Sequence, residues 1–118
     1  HLLWGDTLWI ARFDGGEGTP MAKIPDSTGM TSTTTEWATA RFHLDARISR
    51  WAKGVSHTDL SGDLTWHSTA MNKDFSKTKA LCVMQVFNHQ IHHRGQIHAM
   101  LGAAGADMYT TDIPFMPE

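Results

Sequence analysis

The sequence predicts an all-α fold in which helices pack on helices, because three long stretches carry apolar residues at helical spacing. The chain has 118 residues, enough for a substantial core, and we expect a single domain over residues 1–118. Its 41% hydrophobic and 19% charged residues are typical of a folded soluble protein. Five tryptophans favour a tightly packed interior.

The first two helices are separated by a loop. Residues 1–13 carry an apolar stripe that a glycine-rich turn ends, and residues 18–33, rich in Gly, Pro, Ser and Thr, predict a long surface loop. Threonines before Glu36 offer N-caps to a strongly amphipathic helix that ends near Gly54. We expect core positions at the apolar residues of this helix and at the two tryptophans of the first: Trp4, Trp9, Trp37, Ala40, Leu44, Ile48, Trp51 and Val55.

A β-hairpin is the one candidate for non-helical regular structure. Residues 64–76 alternate in part between polar and apolar side chains around an Asn-Lys turn candidate, a pattern that a short hairpin and a plain loop explain about equally well. A final long helix is then predicted from about Thr78 to Ala104, with Gly105 as its stop. The tail contains two prolines, and we expect it to lie irregularly over the surface.

Charge and cysteine content exclude several classes of function. The formal net charge is −2 and the ten Lys and Arg are scattered singly, so no basic stripe predicts a nucleic-acid partner. No apolar stretch approaches a membrane span, so no membrane partner is expected. The single cysteine, Cys82, excludes an internal disulfide and favours a cytoplasmic location. Cys82 lies in the apolar run ALCVMQVF, which predicts a buried inert thiol rather than a nucleophile.

The last helix carries four of the eight histidines between positions 89 and 98. His89 and His93 are four residues apart and therefore project side by side, as two imidazoles that chelate a divalent transition ion do. His92 could replace His93, whereas His98 falls on another part of the surface. An HxxxH pair alone is more often a polar helix face, and Gln90 replaces the glutamate that a zinc protease needs.

A catalytic metal needs a third ligand from another segment. The available imidazoles are those of His1, His43, His57 and His67. We expect His43 to face solvent, because the apolar stripe of its helix avoids position 43. His1 stands at the head of an apolar helix that should pack against the last one, but periodicity alone leaves the choice open.

Three segments together point to a family. HLLWGDTLW, GDLTW and above all NHQIHHRGQ resemble the DinB-like family of metal-dependent proteins, and the resemblance extends from His1 to Gly105. It implies a four-helix bundle, commonly a homodimer, in which three histidines hold a divalent metal. These ligands map onto His1, His89 and His93. Because the chain starts directly in helical periodicity, without an N-cap or initiator methionine, we expect the first helix of the bundle to be missing.

Residues around the predicted ligands have supporting roles in this hypothesis. A glycine inside a helix lowers the stability of the helix by about 1 kcal/mol relative to alanine. We therefore expect a close contact with another helix at Gly95 to compensate for this loss. Gln96 could orient a ligand or a metal-bound water, and Gln85 is a weaker candidate for the same role. We expect Arg94 to have a structural role rather than a catalytic one.

Three neutral imidazoles would leave the metal its +2 charge and an open position, at which a thiol or water becomes acidic. Some members of the family that the chain resembles transfer bacillithiol or mycothiol to electrophiles, and one type isomerises maleylpyruvate. Our leading hypothesis is therefore a metal-dependent thiol S-transferase whose partners are a small-molecule thiol and an electrophile. The alternatives are a non-catalytic metal-binding stress-response protein and a metal-dependent hydrolase. Imidazole ligands suit zinc, nickel, iron and manganese alike.

Overall fold

The computed structural model describes residues 1–116 of the chain. Its regular elements, in chain order, are α1 (Leu2–Phe13), α2 (Thr34–Gly54), β1 (Asp63–Ser68), β2 (Lys73–Thr78) and α3 (Lys79–Ala103). Short 3₁₀ turns occur at Ile24–Gly29, Thr58–Leu60 and Ile113–Phe115. These bounds confirm a mostly α-helical protein with a short hairpin. None of the helices in the described part of the chain is long and apolar enough to cross a membrane.

The described residues fall into two compact units, His1–Phe87 and a second that begins at Asn88. The first contains α1, α2, the hairpin and the first nine residues of α3, Lys79 to Phe87. The second contains the rest of α3 and the C-terminal tail. The single-domain organisation stays a prediction.

The core of the first unit forms where α1 packs against α2. Leu3, Ile10 and Leu44 are at most 7% exposed, and they are surrounded by partly buried apolar side chains from the same helices and from Met30. Spacing of three, four and seven residues along α1 and α2 places these side chains on the facing sides of the two helices. The predicted stripe of α2 is thus confirmed at its centre, with one exception at its start.

Trp37 is that exception, since 45% of its surface is exposed. It lies in the first turn of α2, whereas the buried Leu44 lies two turns further along the helix. The prediction that Trp37 is a core residue was wrong because periodicity identifies a face of a helix but not how much of its length is covered.

Two side-chain hydrogen bonds fix the start of α2. Thr33 Oγ1 accepts a hydrogen bond from the backbone N–H of Glu36 at 3.1 Å. Glu36 Oε2 in turn accepts one from the backbone N–H of Ser32 at 2.8 Å. The first bond satisfies an amide of the first turn, which has no intrahelical partner, and the second differs from a capping box because its donor is the residue before the N-cap. The predicted N-cap among the threonines is confirmed at Thr33.

The loop between α1 and α2 is more ordered than its composition predicts. It contains the 3₁₀ turn Ile24–Gly29, in which Ser27 is only 4% exposed. Trp4 Nε1 donates a hydrogen bond to the carbonyl oxygen of Ala22 at 2.7 Å, which attaches the loop to α1. The prediction of a surface loop is confirmed for most of the segment, with Ser27 as a buried exception.

The hairpin pairs β1 and β2 antiparallel, with Trp66 opposite Phe75. Asn72 precedes β2 with a φ of 46°, a left-handed conformation that asparagine tolerates better than most residues. The Trp66 ring stacks on Phe75 with centroids 5.5 Å apart and meets Trp9 edge-on at 5.6 Å. The Arg12 guanidinium lies over both indoles, 4.8 Å from the Trp9 ring and 5.0 Å from the Trp66 ring. Aromatic and cation–π contacts thus fasten the hairpin to α1.

The C-terminus of α3 confirms the predicted stop at Gly105. This glycine has a φ of 83°, and its N–H bonds to the carbonyl oxygen of Gly102 at 3.0 Å. The N–H of Ala106 bonds to the carbonyl oxygen of Leu101 at 3.0 Å. Both bonds belong to the Schellman motif, in which a left-handed residue reverses the chain after a helix.

Candidate metal centre

His89 and His93 lie together on α3, within the second unit. Their ring centroids are 4.5 Å apart and the ring planes are inclined by 79°. Both side chains are partly buried, whereas His92 is exposed, although its ring centroid lies only 5.0 Å from that of His93. The predicted pairing at i and i+4 is thus present as a close contact of two imidazoles.

Gln96 determines which nitrogen of His93 can bind a metal. The distance from His93 Nδ1 to Gln96 Oε1 is 2.7 Å. An amide oxygen can only accept a hydrogen bond, so Nδ1 carries the proton and Nε2 is the nitrogen with the lone pair. The predicted role of Gln96 in orienting a ligand is therefore supported by a direct contact with His93, while Gln85 is an exposed residue one turn before His89.

His1 lies in the first unit, at the N-cap of α1. Its Nδ1 is 2.7 Å from Ser27 Oγ, and its ring stacks on Trp4 at a centroid distance of 5.7 Å and an interplanar angle of 15°. Because Ser27 engages Nδ1, Nε2 is the ring nitrogen suited to metal ligation. Sequence reasoning missed Ser27, which lies 26 residues away in a segment with no periodic signal.

A buried ion pair between Asp6 and Arg41 joins α1, the helix that follows His1, to α2. Asp6 is 2% exposed, and Arg41 Nη1 of α2 donates to its Oδ2 at 2.5 Å. Arg41 also donates to Asp45 on its own helix. Burial lowers the pKa of Arg41, but its hydrogen bonds with Asp45 and Asp6 outweigh that effect and raise the pKa. The ion pair between Arg41 and Asp6 therefore joins α1 to α2.

The remaining histidines have other surroundings. His43 is exposed, as predicted, and His57 is exposed in its loop. His67 Nδ1 lies 2.7 Å from Asp74 Oδ1 across the hairpin. His98 Nε2 lies 3.3 Å from the carbonyl oxygen of Tyr109, on a different side of α3 from His89. These contacts do not decide among the imidazoles outside α3, and His1 stays the third ligand that the family resemblance implies.

Cys82 is buried, with 3% of its surface exposed. Burial raises the pKa of its thiol, and the nearby Arg12 opposes that shift only in part. The sequence shows no basic residue next to Cys82, but the fold brings Arg12 from α1 close enough to act on it electrostatically. The predicted burial of Cys82 is confirmed, and the raised pKa favours the protonated thiol, whereas its lack of reactivity stays a prediction.

Gly95 does not make the close helix contact that its cost predicts. A Cβ atom built at this position would have no other atom of the described residues within 4 Å. The expected close helix contact is therefore not formed by the described residues.

The chain matches the model of the DinB family over residues 1–118. No similar curated protein and no similar solved structure was found for it. A match over the full length, which includes both the HLLWGD segment and the histidines of α3, shows the family directly. The chain belongs to the DinB family.

Proposed function

We propose that this protein is a divalent-metal-dependent enzyme that transfers a low-molecular-weight thiol to an electrophile, with His1, His89 and His93 as the metal ligands. The observation that carries the proposal is the pair of adjacent imidazoles on α3, one of which has its tautomer fixed by Gln96. Membership of a family whose members generally bind metals supports it further.

The donors suit a divalent transition ion. His1, His89 and His93 each offer one ring nitrogen. Two of them have a hydrogen-bonding partner at Nδ1, which is Ser27 for His1 and Gln96 for His93. Metal-binding histidines in proteins commonly have such a partner on the other ring nitrogen, because it fixes the orientation of the ring and raises its basicity.

The chemistry of the surrounding residues favours thiol transfer over hydrolysis. A divalent ion held by three neutral imidazoles supplies positive charge that favours the deprotonated form of a bound thiol. Residues 88–101 contain no Asp or Glu that could serve as a general base for water. The nucleophile must come from a small molecule, because Cys82 is buried and its pKa is raised. We place this chemistry in the cytoplasm, where small thiols are kept reduced.

The proposal is tested by the rate of S-conjugation to a model aromatic electrophile. The purified protein, loaded with zinc, nickel, iron or manganese, is assayed with glutathione, bacillithiol and mycothiol in turn, with and without a chelator. We expect at least one thiol to give a metal-dependent rate that His89→Ala abolishes and His92→Ala retains. If no thiol gives a rate above background, the transferase proposal is wrong and a non-catalytic metal-binding protein becomes the better explanation.

A further inference from the structure

A groove of about 650 Å³ lies within the second unit, between α3 and the C-terminal tail. Its volume falls in the range of roughly 300–1,000 Å³ that small-molecule sites occupy. The lining is mostly apolar and includes Ile91, Leu101, Tyr109 and Ile113. The tail is held against the helix by the contact of His98 Nε2 with the Tyr109 carbonyl oxygen at 3.3 Å.

This groove is separate from the histidine pair on the same helix. With about 100° of rotation per residue, the nine positions from His89 to His98 bring the helix to its opposite side. His98 lines the groove together with Arg94 and Ile91, which precede it by four and seven residues on the same face. An occupant of the groove would therefore bind behind the His89–His93 face, and its binding is independent of the function proposed above.

Gly95 lines this groove and is not required by helix packing. A glycine inside a helix is less stable than an alanine. A Cβ at Gly95 would nevertheless meet no atom of the described residues within 4 Å, so an alanine would fit. Glycine permits the close approach of a backbone to a ligand, and the place of Gly95 in the groove lining suits that role.

Arg94 gives the groove its charge. It is exposed, it lies beside Gly95 in the lining, and no carboxylate in residues 1–116 forms an ion pair with it. No aspartate or glutamate lines the groove in the part of the chain that the structure describes. An apolar cavity with one cation complements a molecule that has an apolar body and one anionic group.

We propose that the groove binds an apolar carboxylate, of which a medium-chain fatty acid is the simplest form. The chain of the ligand would lie along Ile91, Leu101 and Ile113 and pass over Gly95. Its carboxylate would pair with Arg94, whose planar guanidinium can donate two parallel hydrogen bonds to a carboxylate.

Calorimetric titration of the whole protein with decanoate tests this proposal, with decanol as the uncharged probe. We expect one decanoate per chain, about tenfold tighter than decanol, because a charge-assisted hydrogen bond contributes roughly that factor. Arg94→Gln should reduce the affinity for decanoate to that for decanol. Gly95→Leu should weaken both probes at least tenfold, whereas Gly54→Leu, at the end of α2 where a Cβ also meets no atom of the described residues within 4 Å, should change neither.

Each departure from this pattern overturns the proposal. If decanoate does not bind at millimolar concentration, the groove is not a site for apolar carboxylates. If Gly95→Leu leaves the affinity unchanged, the ligand binds elsewhere. If decanol and decanoate bind equally well, Arg94 does not recognise the carboxylate. Arg94→Gln changes an exposed side chain, so it tests the charge even where Gly95→Leu unfolds the protein.

Discussion

His93 donates a hydrogen bond from Nδ1 to Oε1 of Gln96, at a distance of 2.7 Å one helical turn away. The contact joins two residues at i and i+3 on α3, so the backbone of the helix sets its geometry. Without this acceptor, the proton of a neutral imidazole can move to Nε2 and remove the lone pair that a metal needs. Gln96 is therefore a positioning residue for the proposed ligand.

Gln96→Leu is expected to weaken metal binding about 10–100-fold, the usual effect of removing a partner behind a ligating histidine. The measurement is a competition titration with a chromophoric chelator. Gln85→Leu is the comparison variant, because Gln85 is the weaker candidate for the same role and is also exposed on α3. Equal losses of affinity in the two variants would contradict the specific role of Gln96.

The ligand set itself is tested by elemental analysis of purified variants. We expect one divalent ion per chain in the wild type, and loss of the ion in His89→Ala, His93→Ala and His1→Ala. His92→Ala should keep the ion, because its side chain is exposed next to a better placed neighbour. Full metal occupancy in both His89→Ala and His93→Ala would show that these histidines are not the ligands. Loss of the ion in His92→Ala with retention in His93→Ala would mean that His92 is the ligand.

A homodimer is expected from the apolar side chains that the first unit exposes. Phe42 is 73% exposed, Met84 67% and Phe87 64%. Large apolar groups exposed on helices favour burial in an interface, and two-fold dimers are the commonest assembly. Light scattering should give the mass of two chains at micromolar concentration, and Phe87→Asp should shift it toward one. Met21→Asp, in the loop where Met21 is fully exposed at 100%, should not. A stable wild-type monomer would contradict this prediction.

The ion pair of Asp14 with Arg47 predicts how stability depends on pH. Both carboxylate oxygens of Asp14 accept hydrogen bonds from Arg47, at 2.7 and 2.8 Å. These bonds lower the pKa of Asp14 below its ordinary value of 3.8. A depressed folded-state pKa contributes stability that is complete above pH 3.8 and is lost as the pH falls through the lower folded value.

Asp14→Asn should therefore lower the free energy of unfolding at pH 7 by roughly 0.5–1 kcal/mol, the size expected for a largely solvent-screened pair with good geometry. The difference in the free energy of unfolding between Asp14→Asn and the wild type should shrink as the pH falls below 3.8, the ordinary pKa of aspartate. Denaturant unfolding at several pH values measures it. A difference that stays constant down to the acid transition would mean that the ion pair contributes nothing.

The sequence predicted the helices, their ends and the histidine pair well, because these depend on local rules. Gly105 ends α3 with a positive φ as expected, and Thr33 caps α2. His89 and His93 meet because spacing on a helix determines which side chains are neighbours. For the same reason His98 was correctly separated from them.

Contacts between distant segments could not be predicted in this way. The bond between His1 and Ser27 and the ion pair of Asp6 with Arg41 join residues 26 and 35 positions apart. Neither contact has a periodic signal in the sequence. A polar residue in a loop or on an apolar helix is predicted to be exposed to solvent unless its partner is known. Burial of Ser27 follows from packing of the loop against α1, which composition does not describe.

Cys82→Ser separates a structural cysteine from a catalytic one. Because the thiol is 3% exposed and burial raises its pKa, we expect the metal-dependent thiol-transfer rate to be unchanged. The same variant should lose about 1–3 kcal/mol of stability, since it buries a hydroxyl that needs a hydrogen-bonding partner. Cys82→Ala is the matched control, because it removes the sulfur without adding a polar group. Loss of activity in both variants, with the metal retained and the fold intact by circular dichroism, would identify Cys82 as a nucleophile. Its position beside Arg12, which lowers the thiol pKa against the effect of burial, would then be the reason.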